Sequence, residues 1–224
     1  MAKSKMVEEP SDIESVADVR EEVHVLPLER CRIKLRVRGT VPLCCNNFSA
    51  KARQMMRDKQ GGEAVVKGAK SPRACFEAAF YPMQSKRGAP PRYGMPAVSF
   101  KCAMVDACSF IDGITKVQVR GSLFVLPQED QLIEIVGEVI GDESNNWNET
   151  PVKNASGVAD LRYRPLFAPG WTAVVEIEFD PSNIKAGQVV NLLNRGGLHI
   201  GIGDGRPQKK TDMGWGRFEV VEQV

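Results

Sequence analysis

The chain has 224 residues, of which 42% are hydrophobic and 26% are charged, and its formal net charge at pH 7 is +2. This composition is ordinary for a soluble globular protein, and the length suits one elaborated domain or two small ones around a substantial core. No window approaches about 18 uninterrupted apolar residues, and the first residues lack the apolar segment of a signal peptide. We therefore expect a cytoplasmic protein with no membrane partner.

Residues that could bind a metal ion are sparse. None of the six cysteines forms a Cys-x-x-Cys pair, and only two histidines are present. A structural zinc site needs four convergent ligands, usually with short paired spacings, so we predict no metal and no cofactor. Most of the cysteines lie among apolar residues, which is typical of reduced, buried thiols. The cysteines are Cys31, Cys44, Cys45, Cys75, Cys102 and Cys108, and the histidines are His24 and His199.

The charge is distributed unevenly along the chain. Residues 1–22 carry seven carboxylates and three cations, a net charge of −4, so the remainder carries +6. We predict that residues 1–26 form a disordered acidic leader and that residues 27–224 form a single, moderately basic domain. Such a basic body is compatible with nucleic-acid binding. The leader either solubilises the protein or competes with nucleic acid for the basic surface.

The first predicted element is a strand over residues 29–38, ERCRIKLRVR. Its apolar residues alternate strictly with cations, a period that is typical of a half-buried strand. Cations on one face repel each other unless carboxylates on a neighbouring strand, or phosphates, lie against them. The five cations are Arg30, Arg32, Lys34, Arg36 and Arg38.

Two helices are predicted next. The first spans residues 49–60, with Ser49 as its N-cap and two glycines after its end. Residues 61–94 are rich in Gly, Pro and basic residues, and they predict a mobile insertion that carries one brief helix. The second helix spans residues 96–112, begins with a proline, and has apolar residues at helical spacing.

Strand patterns dominate the chain after residue 115. Residues 116–126 and 131–139 are joined by Pro-Gln-Glu-Asp and predict a β-hairpin. Residues 141–160 are polar and Asn-rich, and they predict a long loop or arm in which Trp147 is exposed. Residues 171–179 alternate again and predict a strand with Glu176 and Glu178 on its polar face.

A helix over residues 184–195 and a strand over residues 215–221 complete the predicted elements. With the insertions set aside, the order is β-α-β-β-α-β, which predicts an α+β protein with a ferredoxin-like (RRM-like) core and long insertions at about 61–94 and 141–160. The first and third core strands are neighbours in this plan. Glu176 and Glu178 therefore lie opposite Arg32, Lys34 or Arg36, and the cationic face is either a salt ladder or a surface for nucleic acid.

The last quarter of the chain is rich in glycine around a cationic turn. Repeated glycines indicate that something approaches the backbone closely. Their N–H groups could contact phosphates, or the glycines could serve a tightly packed hairpin. The glycines are Gly201, Gly203, Gly205, Gly214 and Gly216, and the neighbouring cations are Arg206, Lys209, Lys210 and Arg217.

The position of these glycines is similar to that of a known motif. Gly201-Ile202-Gly203, a basic turn and Gly214-Trp215-Gly216 follow the last predicted helix and a short strand. The arrangement resembles the glycine-rich loop of the RAMP superfamily of CRISPR proteins. This resemblance implies a ferredoxin-like (RRM-like) fold that binds RNA, with the loop near the RNA backbone.

Further segments are similar to those of a set of uncharacterised phage and prophage proteins. The similarity covers most of the chain from about residue 30 onward, and it implies a phage origin and a location in the host cytoplasm. That set implies no activity. The segments are Ala159 to Arg164, Val189 to Asn194, Gly201 to Asp204, Arg206-Pro207 and Gly214 to Gly216.

Arg162-Tyr163-Arg164 could stack a base and bind phosphate, or it could be an edge strand with Tyr163 in the core. Catalytic candidates are few. His199 lies beside Ile200 in an apolar segment, as a structural histidine does, and the candidate aspartates lie singly in loops. Metal-assisted chemistry normally needs two or more convergent carboxylates. We therefore predict a protein that is not an enzyme.

The sequence predicts a phage protein that binds RNA or single-stranded DNA without sequence preference and that assembles as a homo-oligomer along the strand. One alternative is a structural or assembly protein of a phage, and another is a metal-dependent nuclease that uses loop carboxylates. The predicted nucleic-acid-binding residues are Arg32, Lys34, Arg36, Arg162, Tyr163, Arg164, Gly201, Gly203, Arg206, Lys209, Lys210, Gly214, Gly216 and Arg217.

Overall fold

The computed structural model describes residues 27–47, 50–62, 71–153, 159–209 and 213–224. The predicted leader, residues 1–26, lies outside the described residues, as do Ser49 and Lys210. The helices are α1 (Ala50–Gln60), α2 (Pro72–Ala78), α3 (Ala97–Ala107), α4 (Lys116–Ser122) and α5 (Ala186–Arg195). None of the helices in the described ranges is both long and apolar enough to cross a membrane.

Within the described ranges the strands form four sheets, and together with the helices they give a mixed α+β fold. The strands are β1 (Cys31–Gly39), β2 (Leu43–Cys44), β3 (Pro82–Met83), β4 (Arg92–Pro96), β5 (Leu123–Leu126), β6 (Leu132–Ile135), β7 (Val139–Ile140), β8 (Glu149–Lys153), β9 (Ala159–Tyr163), β10 (Leu166–Phe167), β11 (Thr172–Phe179) and β12 (Phe218–Gln223). The largest sheet has four strands in the order β12-β1-β11-β5. Its neighbouring strands are all antiparallel.

One face of the four-stranded sheet forms the core. Ile33, Leu35 and Val37 of β1 are buried, and the residues between them are exposed. β11 alternates in the same way, with Val175 and Ile177 fully buried. Because side chains alternate across a strand, this pattern fixes the register of both strands. α3 and α5 contribute buried residues to the same hydrophobic core.

The opposite face of the sheet has a ladder of ion pairs. The predicted pairing of β1 with Glu176 and Glu178 of β11 is confirmed, and β12 supplies two further carboxylates. The pairs are Arg32–Glu178 at 2.8 Å, Lys34–Glu176 at 3.4 Å, Arg36–Glu222 at 2.9 Å and Arg38–Glu219 at 2.7 Å. These four cationic side chains are still 44–61% exposed. Exposed pairs of this kind contribute only about 0–1 kcal/mol each.

The predicted hairpin of residues 116–126 and 131–139 is wrong. Residues 116–122 form α4 because Thr115 caps the helix, its Oγ1 accepting a hydrogen bond of 3.1 Å from the Gln118 N–H. β5 then pairs with β11, and β6 pairs with β4 in a separate sheet. The valines of this segment alternate with other residues as they do in a strand, but the N-cap at Thr115 starts a helix.

The predicted insertions contain regular structure. β3 and β4 pair within residues 61–94. β8 lies within residues 141–160 and pairs with β9, which begins at the end of that range. The prediction that Trp147 is exposed is wrong: it is half-buried, and its ring packs against Phe76 with 5.3 Å between centroids. Aromatic contact therefore attaches the second insertion to α2 in the first.

Trp171 is the largest fully buried side chain. Its indole Nε1 donates a hydrogen bond of 3.0 Å to the Val41 carbonyl. It packs so closely on Gly39 that a Cβ there would lie 1.9 Å from Nε1. Trp171 therefore joins the start of β11 to the turn that follows β1.

We expect Trp171→Phe to lower the free energy of unfolding by about 2–3 kcal/mol, because it leaves a cavity and an unpaired carbonyl. Urea denaturation followed by circular dichroism measures the change. The control is Trp147→Phe, which keeps an aromatic ring beside Phe76 and should cost about 1 kcal/mol or less. Equal losses in the two variants would contradict this role of Trp171.

Candidate nucleic-acid interface

The glycine-rich loop, defined here as residues 201–206 and 213–217, begins one turn after the end of α5. A π-helical turn, Gly196–Ile200, follows α5 directly, and its Gly196 carbonyl accepts a hydrogen bond of 2.8 Å from the Gly201 N–H. π-Helical turns are rare and are frequent at functional sites. The turn redirects the chain from the helical layer towards the segment between β1 and β2.

Backbone hydrogen bonds hold the loop on that segment and on itself. The N–H groups of Asp204 and Gly216 donate to the Cys44 and Pro42 carbonyls, at 3.0 and 2.7 Å. Within the loop, the Ile202 N–H donates to the Gly216 carbonyl at 3.0 Å. These donors are engaged inside the protein, so a phosphate would have to contact other groups of the loop.

Two glycines permit close approach of backbone to backbone. Gly203 and Gly216 both have positive φ, at 77° and 70°. A Cβ at Gly203 would lie 2.5 Å from the Cys44 carbonyl oxygen, and one at Gly216 would lie 1.8 Å from the Ile202 oxygen. At these two positions the glycines therefore serve the tight packing of the loop, which is the second of the two roles that the sequence suggested for them.

A small cleft lies between the loop and the first turn of α3. Its volume is ≈ 110 Å³, well below the roughly 300–1,000 Å³ of a small-molecule pocket. Polar groups dominate the lining, which includes Asn46, Tyr81, Ser99, Asp204 and Arg206. The cleft suits a small polar group rather than a whole metabolite.

Arg206 is held in a defined position at this cleft. Its Nη1 donates to the Gly203 carbonyl at 2.9 Å, and its Nε donates to Gln208 Oε1 at 3.1 Å. The acidic neighbour in the cleft, Asp204, forms an ion pair with Arg164, which is only 9% exposed. Burial lowers the pKa of the Arg164 guanidinium from its ordinary value. The Asp204 charge is thus compensated by a buried partner.

Tyr81, one of the lining residues of the cleft, interacts with a second arginine, Arg53, which is not itself in the lining. The Tyr81 hydroxyl donates to the Asn46 carbonyl at 3.0 Å. Burial raises the pKa of this phenol, and the positive charge of Arg53 opposes the rise. Arg53 also donates to Asn47 Oδ1 at 3.4 Å. With Asp204 paired to Arg164, the guanidinium of Arg206 favours a negatively charged group in the cleft.

The structure brings some of the predicted binding residues together and separates others. Gly201, Gly203, Arg206, Gly214, Gly216 and Arg217 share the loop, and Arg164 reaches it through Asp204. Arg32, Lys34 and Arg36 lie on the outer face of the four-stranded sheet, and Arg162 and Tyr163 lie on β9. Lys209 ends a short 3₁₀ turn, Pro207–Lys209, whereas Lys210 is outside the described residues.

Sequence reasoning missed Asn46, Tyr81 and Ser99 as lining residues, because only the tertiary fold brings them beside the loop. His199 stacks on Phe110 with 4.4 Å between ring centroids. This contact agrees with a structural histidine. In the described part of the chain, no three His, Cys, Asp or Glu side chains are grouped so that they could hold a metal ion.

The sequence matches no protein-family model and no curated protein. Its structure is similar to the crystal structure of Cmr6 from Pyrococcus furiosus, with a TM-score of 0.40 and 9% sequence identity. The match covers 86% of this chain and 98% of that chain. A likeness this remote carries no argument about activity or partners, so the site rests on the residues of this chain.

Gly216 and Gly214 form a matched pair for mutation. Both have positive φ, at 70° and 63°, but a Cβ at Gly214 would have its nearest neighbour 3.9 Å away. We expect Gly214→Ala to cost about 1–2 kcal/mol from backbone strain alone. Gly216→Ala should cost clearly more, because it also displaces Ile202. Urea denaturation compares the two, and similar midpoints would mean that the close approach is absent.

Proposed function

We propose that the protein binds single-stranded nucleic acid, RNA or DNA, without sequence preference, and that it does so through the glycine-rich loop and the adjoining cleft. The observation that carries this proposal is the placement of Arg206 at a polar cleft whose one acidic neighbour is compensated. Phosphate contacts of this kind supply affinity without reading the bases. The similarity of the loop to that of the RAMP superfamily supports RNA as a ligand.

We also propose that the core follows the ferredoxin-like plan. The strand order β12-β1-β11-β5 supports this, because β12 is the last core strand, β1 the first, β11 the third and β5 the second. α3 lies between β1 and β5 in the chain, and α5 lies between β11 and β12. A phage origin and homo-oligomeric assembly along the strand remain predictions of the sequence.

The loop is a better candidate interface than the outer face of the sheet. On that face, Arg32, Lys34, Arg36 and Arg38 each have a carboxylate partner within 3.4 Å. A phosphate would have to compete with those carboxylates for the same donors. The cations of the sheet thus contribute less to binding than their number suggests.

Loss of a phosphate contact lowers the dependence of affinity on salt. We expect Arg206→Gln to weaken binding to labelled oligo(U) and oligo(dT), and to reduce the slope of log K against log[salt] by about 0.7 for single strands. Fluorescence anisotropy at several salt concentrations gives both values. Replacing Lys209 and Lys210 as well should reduce the slope further.

The matched control is Arg73→Gln. Arg73 is an exposed cation on α2 that pairs with Glu77 at 2.9 Å, so its loss changes the net charge equally without altering the loop. An Arg206→Gln variant with the affinity and salt slope of the control would refute the role of the loop. A wild-type protein that binds none of the oligonucleotides would refute the function itself.

A nuclease activity is the rival that uses the same ligand. We propose that the protein binds without cutting, and we expect labelled RNA and DNA to remain intact with Mg²⁺ or Mn²⁺ under conditions where binding is complete. Gel electrophoresis of the labelled strands measures this. Cleavage that disappears with EDTA and with Asp204→Asn would establish the nuclease instead.

An assembly protein is the second candidate. It is favoured by large apolar side chains at the surface, among them Val98, Val117 and Leu198, which are 56–76% exposed. Size-exclusion chromatography at several salt concentrations, with the 260/280 nm absorbance ratio, separates the two functions. Salt-stable assemblies without nucleic acid favour the assembly protein, and co-purified nucleic acid favours binding.

A further inference from the structure

A phenylalanine and a lysine meet at the β5 edge of the four-stranded sheet. Phe124 of β5 is 50% exposed. The Lys101 Nζ, which comes from α3, lies 4.0 Å from the centroid of its ring. A cation at this distance is attracted to the face of an aromatic ring. The contact therefore holds both side chains in place at the surface.

Arg120 is exposed on α4, which packs against α3 and leads directly into β5, so it adds a second positive charge beside this patch. Burial lowers the pKa of the Lys101 ammonium from its ordinary value, and the charge of Arg120 acts in the same direction. In the described ranges, no carboxylate lies within ion-pair distance of either cation. The cations of β1, in contrast, have carboxylate partners on β11 and β12. Two neighbouring cations without such partners favour an anionic ligand.

We propose that Phe124, Lys101 and Arg120 form a second contact for single-stranded nucleic acid. One base stacks on the exposed part of the Phe124 ring, and an adjacent phosphate lies against Lys101 and Arg120. Aromatic rings beside cations are the usual means by which proteins hold single strands without sequence choice. This inference rests on the proposed function and extends it to a site outside the glycine-rich loop.

The patch and the cleft lie near the same turn of α3. Ser99 lines the cleft, and Lys101 follows two residues later, about 3 Å further along the helix axis. A strand that leaves the cleft has to cross roughly one helix width, about 10–12 Å with side chains, to reach the patch. One short single strand can thus occupy both contacts.

An acidic protein segment would also neutralise the two cations. It would leave the exposed half of the Phe124 ring unused, whereas a nucleotide offers an anion and a flat π surface together. The cation on the ring strengthens this preference, because Lys101 keeps the ring oriented for stacking. Single-stranded nucleic acid is therefore the ligand that matches all three side chains.

The test compares Phe124→Leu with Phe110→Leu. Both residues are 50% exposed, but the Phe110 ring stacks on His199 instead of contacting a lysine. Fluorescence anisotropy with labelled oligo(U) and oligo(dT) should show affinity about 5- to 10-fold weaker for Phe124→Leu, and unchanged for Phe110→Leu. Thermal denaturation of each variant verifies that it is folded.

A second pair of variants tests the cations. We expect Lys101→Gln combined with Arg120→Gln to reduce the salt slope by about 0.7, because both cations contact the same phosphate. Lys101→Gln and Arg120→Gln are also measured singly, and Arg73→Gln is the control for the loss of one charge. Phe124→Trp should retain affinity, and its added fluorescence should be quenched when a base stacks on it. Because the quenching depends on added oligonucleotide, it distinguishes base stacking from a loss of folding.

The outcomes separate this inference from the proposed function. If the wild type binds oligonucleotides and Arg206→Gln weakens binding, but Phe124→Leu binds like Phe110→Leu, the patch is not a nucleic-acid contact and the loop remains one. If polyglutamate competes for Lys101 and Arg120 while Phe124→Leu has no effect, the patch belongs to an acidic protein and the inference is overturned. If the wild type binds no single strand, both proposals fail.

Discussion

A short run of backbone, residues 39–45, holds the glycine-rich loop against the rest of the protein. On one side it bonds to the loop, through Thr40 N to Arg217 O at 3.0 Å, Gly216 N to Pro42 O at 2.7 Å and Asp204 N to Cys44 O at 3.0 Å. On the other side it bonds to the chain before β11, through Gly39 N to Trp171 O at 2.7 Å and Cys45 N to Pro165 O at 3.1 Å. Because the loop has few side chains of its own to pack, these bonds determine where Arg206 lies.

The same segment separates two surfaces with different electrostatic properties. Before it, β1 presents cations that carboxylates of β11 and β12 compensate, so the sheet has many charges but little excess charge. After it, the cleft is lined by Arg206 and by Asp204, which pairs with the buried Arg164. A dense row of cations is therefore not in itself the place where a polyanion would bind, because the cations of the sheet already lie against carboxylates.

The sequence pattern correctly predicted the elements in which the regularly spaced apolar residues are also the buried ones. β1 and β11 alternate strictly, and their polar faces correctly implied that Glu176 and Glu178 lie opposite cations. The pattern failed at residues 116–122, where valines at every second position suggested a strand but the Thr115 cap starts a helix. No local signal could have located the cleft, because Asn46, Tyr81 and Ser99 come from distant parts of the chain. The sequence did not reveal the ion pairs of Glu219 and Glu222, because its pattern does not show which strand the last strand pairs with.

Rigidity of the loop has a consequence for how it would bind. Glycine-rich segments usually lose much conformational entropy when they become ordered. Here that cost is met during folding, because Gly203 and Gly216 already lie in close contact with the Cys44 and Ile202 carbonyls. A ligand that meets such a loop does not have to order it, so more of the contact energy remains as affinity. In the proposed interface the glycines would thus act mainly by fixing the position of neighbouring cations, and the cations would contact the ligand.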